Sequence, residues 1–102
     1  MIQSFKGLYL FDNNIVNNLN SSVMGVYYCG VKTSEGKLTV YYVGRAIGDD
    51  GVCGRLLQHL SENKWHDVTH FGYEACDTMR EAIDHEASEI LKYKPKYNTQ
   101  GK

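Results

Sequence analysis

Residues 24–44, Met24-Gly25-Val26-Tyr27-Tyr28-Cys29-Gly30-Val31-Lys32-Thr33-Ser34-Glu35-Gly36-Lys37-Leu38-Thr39-Val40-Tyr41-Tyr42-Val43-Gly44, decide the fold. Two runs rich in valine and tyrosine, Met24 to Thr33 and Leu38 to Gly44, flank a turn-forming Ser34-Glu35-Gly36-Lys37. Gly36 is free to take a left-handed backbone, so the stretch predicts a β-hairpin. Placing Tyr27 opposite Tyr42, Cys29 opposite Val40 and Val31 opposite Leu38 leaves Thr33 to Gly36 as the loop, and puts both phenols on one face.

Outward from the hairpin, Gly48, Asp49, Asp50 and Gly51 break the strand pattern. Asp49 or Asp50 is placed to cap a helix running to about Glu62, with Val52, Leu56 and Leu60 inward and Arg55 and His59 on a neighbouring stripe. Trp65 is expected to close this corner of the core. Val68 to Glu74 alternates as a third strand, and Thr78 with Glu81 forms a capping-box pattern that starts a second helix ending near Tyr93, before Pro95. The expected order is β-β-α-β-α, an α/β (α+β) sandwich with a central three-stranded antiparallel sheet. Residues 1–22 read as an N-terminal extension, crowded with Asn13, Asn14, Asn17, Asn18 and Asn20, in which Asp12 can cap one helical turn carrying Ile15, Val16 and Leu19 inward. It is expected to pack on the 23–102 domain without contributing chemistry.

Composition narrows the function classes. A chain of 102 residues supports one core. Its formal net charge of −1 lacks the broad basic field of a protein that coats nucleic acid by charge alone, so any phosphate contact has to be local. Cys29, Cys53 and Cys76 have no C-x-x-C spacing and read as free buried thiols suited to a reducing, cytoplasmic compartment. Lys6 and Asp12 interrupt the apolar N-terminal stretch, and no run approaches a membrane span, so no membrane partner is expected.

Glu86 is the most telling residue for chemistry. At 100° per residue it falls within the stripe of Met79, Ala82, Ile83 and Ile90 that must cover the sheet, where a carboxylate requires a cation, a metal or strong donors. Either a structural bond to a tyrosine hydroxyl or Arg55, or a metal-holding role, fits that position. Glu81 and Asp84 face away, and Glu89, at the stripe's edge, reads as surface or as a second acidic group. Arg55 and His59, one turn apart, can jointly hold a phosphate or form a solvated helix edge. Arg45 extends the electropositive region, while Lys92, Lys94, Lys96 and Lys102 form either a basic strip able to track a nucleic-acid backbone or a solubilising tail. Two motifs fail: His85-Glu86-Ala87-Ser88-Glu89 lacks the second histidine of a zinc-protease helix, and Gly48 to Gly54 lacks the Gly-Lys-Ser/Thr of a P-loop.

Taken together these residues resemble the GIY-YIG nuclease family over roughly Met24 to Asn98. Gly25-Val26-Tyr27 and Tyr42-Val43-Gly44 stand for the two name-giving triplets, each with valine for isoleucine, followed by Arg55, His59, Glu86 and a closing Pro95-Lys96-Tyr97-Asn98. The resemblance implies a divalent-metal-dependent endonuclease hydrolysing DNA phosphodiesters. Glu86 would hold Mg²⁺ or Mn²⁺, Tyr27 would act as general base assisted by Tyr42, Arg55 would stabilise phosphate charge, and His59 would orient water or Tyr27. Gly25, Gly44 and Asn98 would support the site; Arg45, Lys92, Lys94 and Lys96 would contact nucleic acid. RNA and branched DNA are alternative substrates, and a separate DNA-binding protein is a plausible partner because no DNA-binding domain is attached. The competing expectation is a catalytically inactive GIY-YIG-like module that binds nucleic acid, which the acidic Asp49 and Asp50 and the near-neutral charge favour.

Overall fold

The computed structural model describes residues 1–19 and 22–99, so Asn20 and Lys102 lie outside the described residues. The elements are β1 (Lys6–Leu10), α1 (Asn13–Asn17), β2 (Gly25–Lys32), β3 (Leu38–Ala46), α2 (Gly51–Glu62), β4 (His70–Ala75), α3 (Met79–Tyr93) and α4 (Lys96–Thr99). They build an α+β fold on a four-stranded antiparallel sheet ordered β1-β4-β2-β3. The order β-β-α-β-α holds from β2 to α3, but the expected three-stranded sheet is corrected to four. The N-terminal apolar cluster pairs along β4, with Tyr9 opposite Phe71 and Leu10 opposite His70, and so covers an edge that would otherwise expose unpaired backbone groups. Tyr9 and Phe11 lie against Phe71, with ring centroids 5.4 and 6.3 Å away. Then α1 buries Val16, as the Asp12 capping pattern implied, although Asp12 makes no side-chain capping bond.

The hairpin forms with a different register. Tyr27 pairs with Gly44 and Cys29 with Tyr42, after which the register shifts and Gly30 pairs with Val40, leaving Tyr41 as the extra residue of a bulge. Gly30 makes this possible: a Cβ there would lie 1.8 Å from the Thr39 carbonyl oxygen. The loop is correspondingly longer than Thr33 to Gly36, closed by Thr33 N–H donating to the Lys37 carbonyl at 2.7 Å, with Gly36 at φ 82°. Moving Tyr27 from Tyr42 to Gly44 is a two-residue shift, which leaves side chains on the same face, so the two phenols remain neighbours at 6.1 Å between ring centroids.

The helices flank the two faces. Tyr27, Cys29, Val52, Leu56 and Phe71 form one buried cluster on the α2 side, while Val26, Tyr28, Val43 and Ala82 form the other on the α3 side. At the start of α2, Asp50 sits at the N-cap without a side-chain bond, and the Val52 N–H is satisfied instead by the Val23 carbonyl at 2.8 Å. At α3, Thr78 Oγ1 accepts from Glu81 N–H at 3.1 Å as the capping box requires, and Glu81 Oε1 in turn accepts from Asp77 N–H at 3.0 Å. The third strand of the sequence reading starts later than Val68, because Val68 N–H is turned back to the Trp65 carbonyl at 3.3 Å. All three cysteines are buried free thiols. Among the described residues no helix is long and apolar enough to cross a membrane.

Candidate active site

The edge strand β3 is where the candidate residues meet. A cavity of about 390 Å³ is lined by Tyr42 and Arg45 from β3, Ile47 and Gly48 after it, Arg55 from α2 and Glu86 from α3. Because α2 and α3 cover opposite faces of the sheet, side chains from both can share a cavity only beyond the outermost strand. Glu86 lies on α3 as its periodicity implied, with a side chain 14% exposed. Met79 departs from the expected stripe: it is 55% exposed, since α3 packs on the sheet from Ala82 onward.

Glu86 is held by Arg45, whose Nη1 stands 2.6 Å from Glu86 Oε1. Neither Arg55 nor a tyrosine hydroxyl is the partner, as the structural alternative supposed. Adjacent strand geometry explains this: Arg45, like Val43, points to the α3 face. Arg55 is exposed, donates to Gln58 Oε1 at 2.8 Å and borders the cavity from the other side.

Behind the cavity wall Tyr27 is fully buried, and its hydroxyl lies 2.9 Å from His59 Nε2. Burial, then the neighbouring Tyr42, pushes the Tyr27 phenol far above its ordinary value, against the opposing pull of Arg55. Burial likewise raises Tyr42, countered by Arg55 and reinforced by Glu86. Burial and then Arg55 lower His59 to about 4. At neutral pH the pair is thus a protonated phenol sharing one hydrogen bond with an uncharged imidazole, whose Nδ1 stands 3.8 Å from Glu62 Oε1. Trp65 fixes the imidazole by stacking at 4.3 Å and touches Tyr42 at 4.8 Å, closing the corner as its position in the sequence suggested.

The supporting residues have specific packing duties. A Cβ on Gly44 would lie 2.4 Å from Tyr27 Cζ, and one on Gly25 would lie 2.1 Å from the Glu74 carbonyl oxygen. Asn98 accepts from Val43 N–H and donates to the Val43 carbonyl, both at 2.8 Å, and so takes up the outward backbone groups of the edge strand. The lysines do not line the Glu86 cavity. Lys96 pairs with Asp67 at 2.6 Å and lies over the Tyr41 ring, Lys92 borders a different cavity on the α3 side, and Lys94 is the left-handed C-cap of α3.

Three features escaped the sequence reading. The Arg45–Glu86 pair depends on strand register, the Asp67 bonds to Lys96 and Tyr97 depend on where α4 docks, and Glu89 is not a surface residue. Glu89 is 12% exposed and accepts from the Tyr28 hydroxyl, which β2 directs toward α3. The available signal was Tyr28 itself, which strand alternation turns away from Tyr27. No family model matches the chain, and neither a curated protein nor a solved structure shows significant similarity to it.

Proposed function

We propose that this chain is a divalent-metal-dependent endonuclease of the GIY-YIG type that hydrolyses DNA phosphodiesters. The observation that carries this reading is the shared cavity of Tyr42, Arg45, Arg55 and Glu86, backed by the Tyr27–His59 hydrogen bond. Two guanidinium groups and one carboxylate suit a phosphate accompanied by a hard cation, and a single carboxylate with room for water matches the oxygen-ligand preference of Mg²⁺ or Mn²⁺. Such an ion, held by Glu86, would polarise the scissile phosphate and stabilise the leaving oxygen.

The protein's own groups have defined tasks in this reading. Arg55 is placed to neutralise charge gained by the phosphate. Tyr27 orders the site through its hydrogen bond to His59, and its role as general base demands that its raised phenol be brought down as phosphate and cation assemble; in the tautomer with Nε2 bare, His59 Nε2 is the group in reach to take its proton. Trp65 and Asn98 hold His59 and β3 in place. A DNA-binding partner protein would supply affinity that a chain of net charge −1 lacks.

The test is nicking of supercoiled, branched and single-stranded DNA, and of RNA, with Mg²⁺ or Mn²⁺. Wild-type protein should nick at least one DNA substrate, and Glu86→Gln should lose at least about a hundredfold of that rate. Absence of cleavage on every substrate, with nucleic-acid affinity retained and falling with salt, would instead establish the binding-module reading. The occupation of Glu86 by Arg45 is the observation that favours this second reading.

A further inference from the structure

On the α3 side of the sheet a second group of side chains converges, with no part in the Glu86 cavity. Tyr28 and Glu74 project from neighbouring strands β2 and β4, and His85 and Glu89 lie one turn apart on α3. One ligand atom each from Glu74, His85 and Glu89 falls within 4.8 Å of the others. His85 Nε2 is 2.6 Å from Glu74 Oε1 and 3.9 Å from Glu89 Oε1, and the side chains are only 21%, 19% and 12% exposed in the order Glu74, His85, Glu89.

One deficit marks this cluster, and it is charge: among the described residues no lysine or arginine pairs with Glu74 or Glu89, so a single imidazole is the sole basic partner of two largely buried carboxylates. The Tyr28 hydroxyl stands 2.6 Å from both Glu74 Oε1 and Glu89 Oε1 and 3.2 Å from His85 Nε2, so all four polar groups meet around one point. The carboxylates also border a cavity of about 660 Å³ shared with Phe5, Tyr28, Lys92 and Tyr93, which leaves space for water or a further ligand.

We propose that Glu74, His85 and Glu89 form a binding site for a divalent first-row transition ion, with zinc the best fit. A bound dication removes the charge deficit and orders both carboxylates, leaving Tyr28 to donate to one of them. One imidazole nitrogen with two carboxylate oxygens is a donor set suited to Zn²⁺ and less suited to Mg²⁺, which prefers oxygen ligands and retains its waters. The i, i+4 spacing of His85 and Glu89 presents both from one helix face, and Glu74 completes the set from β4, so the ion ties α3 to the sheet. It is independent of the nuclease reading, although α3 also carries Glu86.

Calorimetric titration with zinc chloride in the Glu86→Gln background isolates this site from the other cavity. One ion per chain is expected, with His85→Gln or Glu89→Gln weakening uptake by more than about tenfold and Mg²⁺ binding more weakly than Zn²⁺. In the wild-type protein, where no substitution threatens folding, Zn²⁺ should shift the ring-nitrogen resonances of His85 ahead of those of His66 and His70. Zinc uptake unchanged by His85→Gln, no uptake at all, or His85 resonances that do not move would overturn the site.

Discussion

The Tyr27 hydroxyl and His59 Nε2 lie 2.9 Å apart, joining the centre of the sheet to α2 across 32 residues of chain. Their contact pairs a phenol whose proton is hard to remove with an imidazole that resists taking one up. Of the groups around Tyr27, Arg55 is the one whose charge favours loss of the phenol proton, which couples it to the pair.

That pairing sets a pH dependence. His59 titrates near 4 in the folded protein against 6.5 for an unperturbed histidine, so between these values the unfolded chain takes up a proton that the folded one refuses. Stability must then fall as pH drops from about 6.5 toward 4, with no further loss from this residue below that range. Urea melts across this range should show the slope reduced in His59→Gln. An NMR titration of the His59 ring centred at or above 6.5 would contradict the assignment.

Gly44→Ala should damage the site through packing. The added methyl would sit 2.5 Å from the Tyr27 hydroxyl oxygen and 2.8 Å from Tyr42 Cε2, forcing both rings aside in a buried wall. A loss of about 1–3 kcal/mol is expected from such overpacking. Chemical denaturation measures the loss, and the His59 ring resonances report whether Tyr27 has moved. An unchanged denaturation midpoint would show that the ring does not occupy this space.

Asn98→Leu removes both partners of the Val43 backbone. Leaving that part-buried N–H and C=O unpaired should cost roughly 1–3 kcal/mol, whereas Asn98→Asp, which keeps the acceptor and loses the donor, should fall between. Hydrogen exchange at the Val43 amide is the direct readout, with faster exchange expected in the leucine variant. Equal protection in wild type and Asn98→Leu would mean that Asn98 does not seal the edge of β3.

Much of the local structure was legible because it rests on local physics. Thr78 and Glu81 announced the start of α3, Gly36 the hairpin turn, and Val52 with Leu56 the inward face of α2. Glu86 stood out because a carboxylate on an otherwise apolar stripe is costly unless paired, and it is indeed largely buried at a cavity. The fourth strand was not legible: Lys6–Leu10 is short and lies next to an asparagine-rich turn, and only the open edge of β4 gives it a partner.

The sequence by itself determined the hairpin, the two main helices and the place of Glu86 on the sheet-facing side of α3, since periodicity, capping and turn propensity act over a few neighbouring residues. Tertiary structure alone decided the bulge at Gly30 and the pairing of Arg45 with Glu86. It also decided that the polar atoms of Tyr28, Glu74, His85 and Glu89 would meet on the α3 side of the sheet. Those outcomes depend on strand register and on which helix covers which face, and a single-residue slip in either would send the same side chains to the opposite side of the sheet.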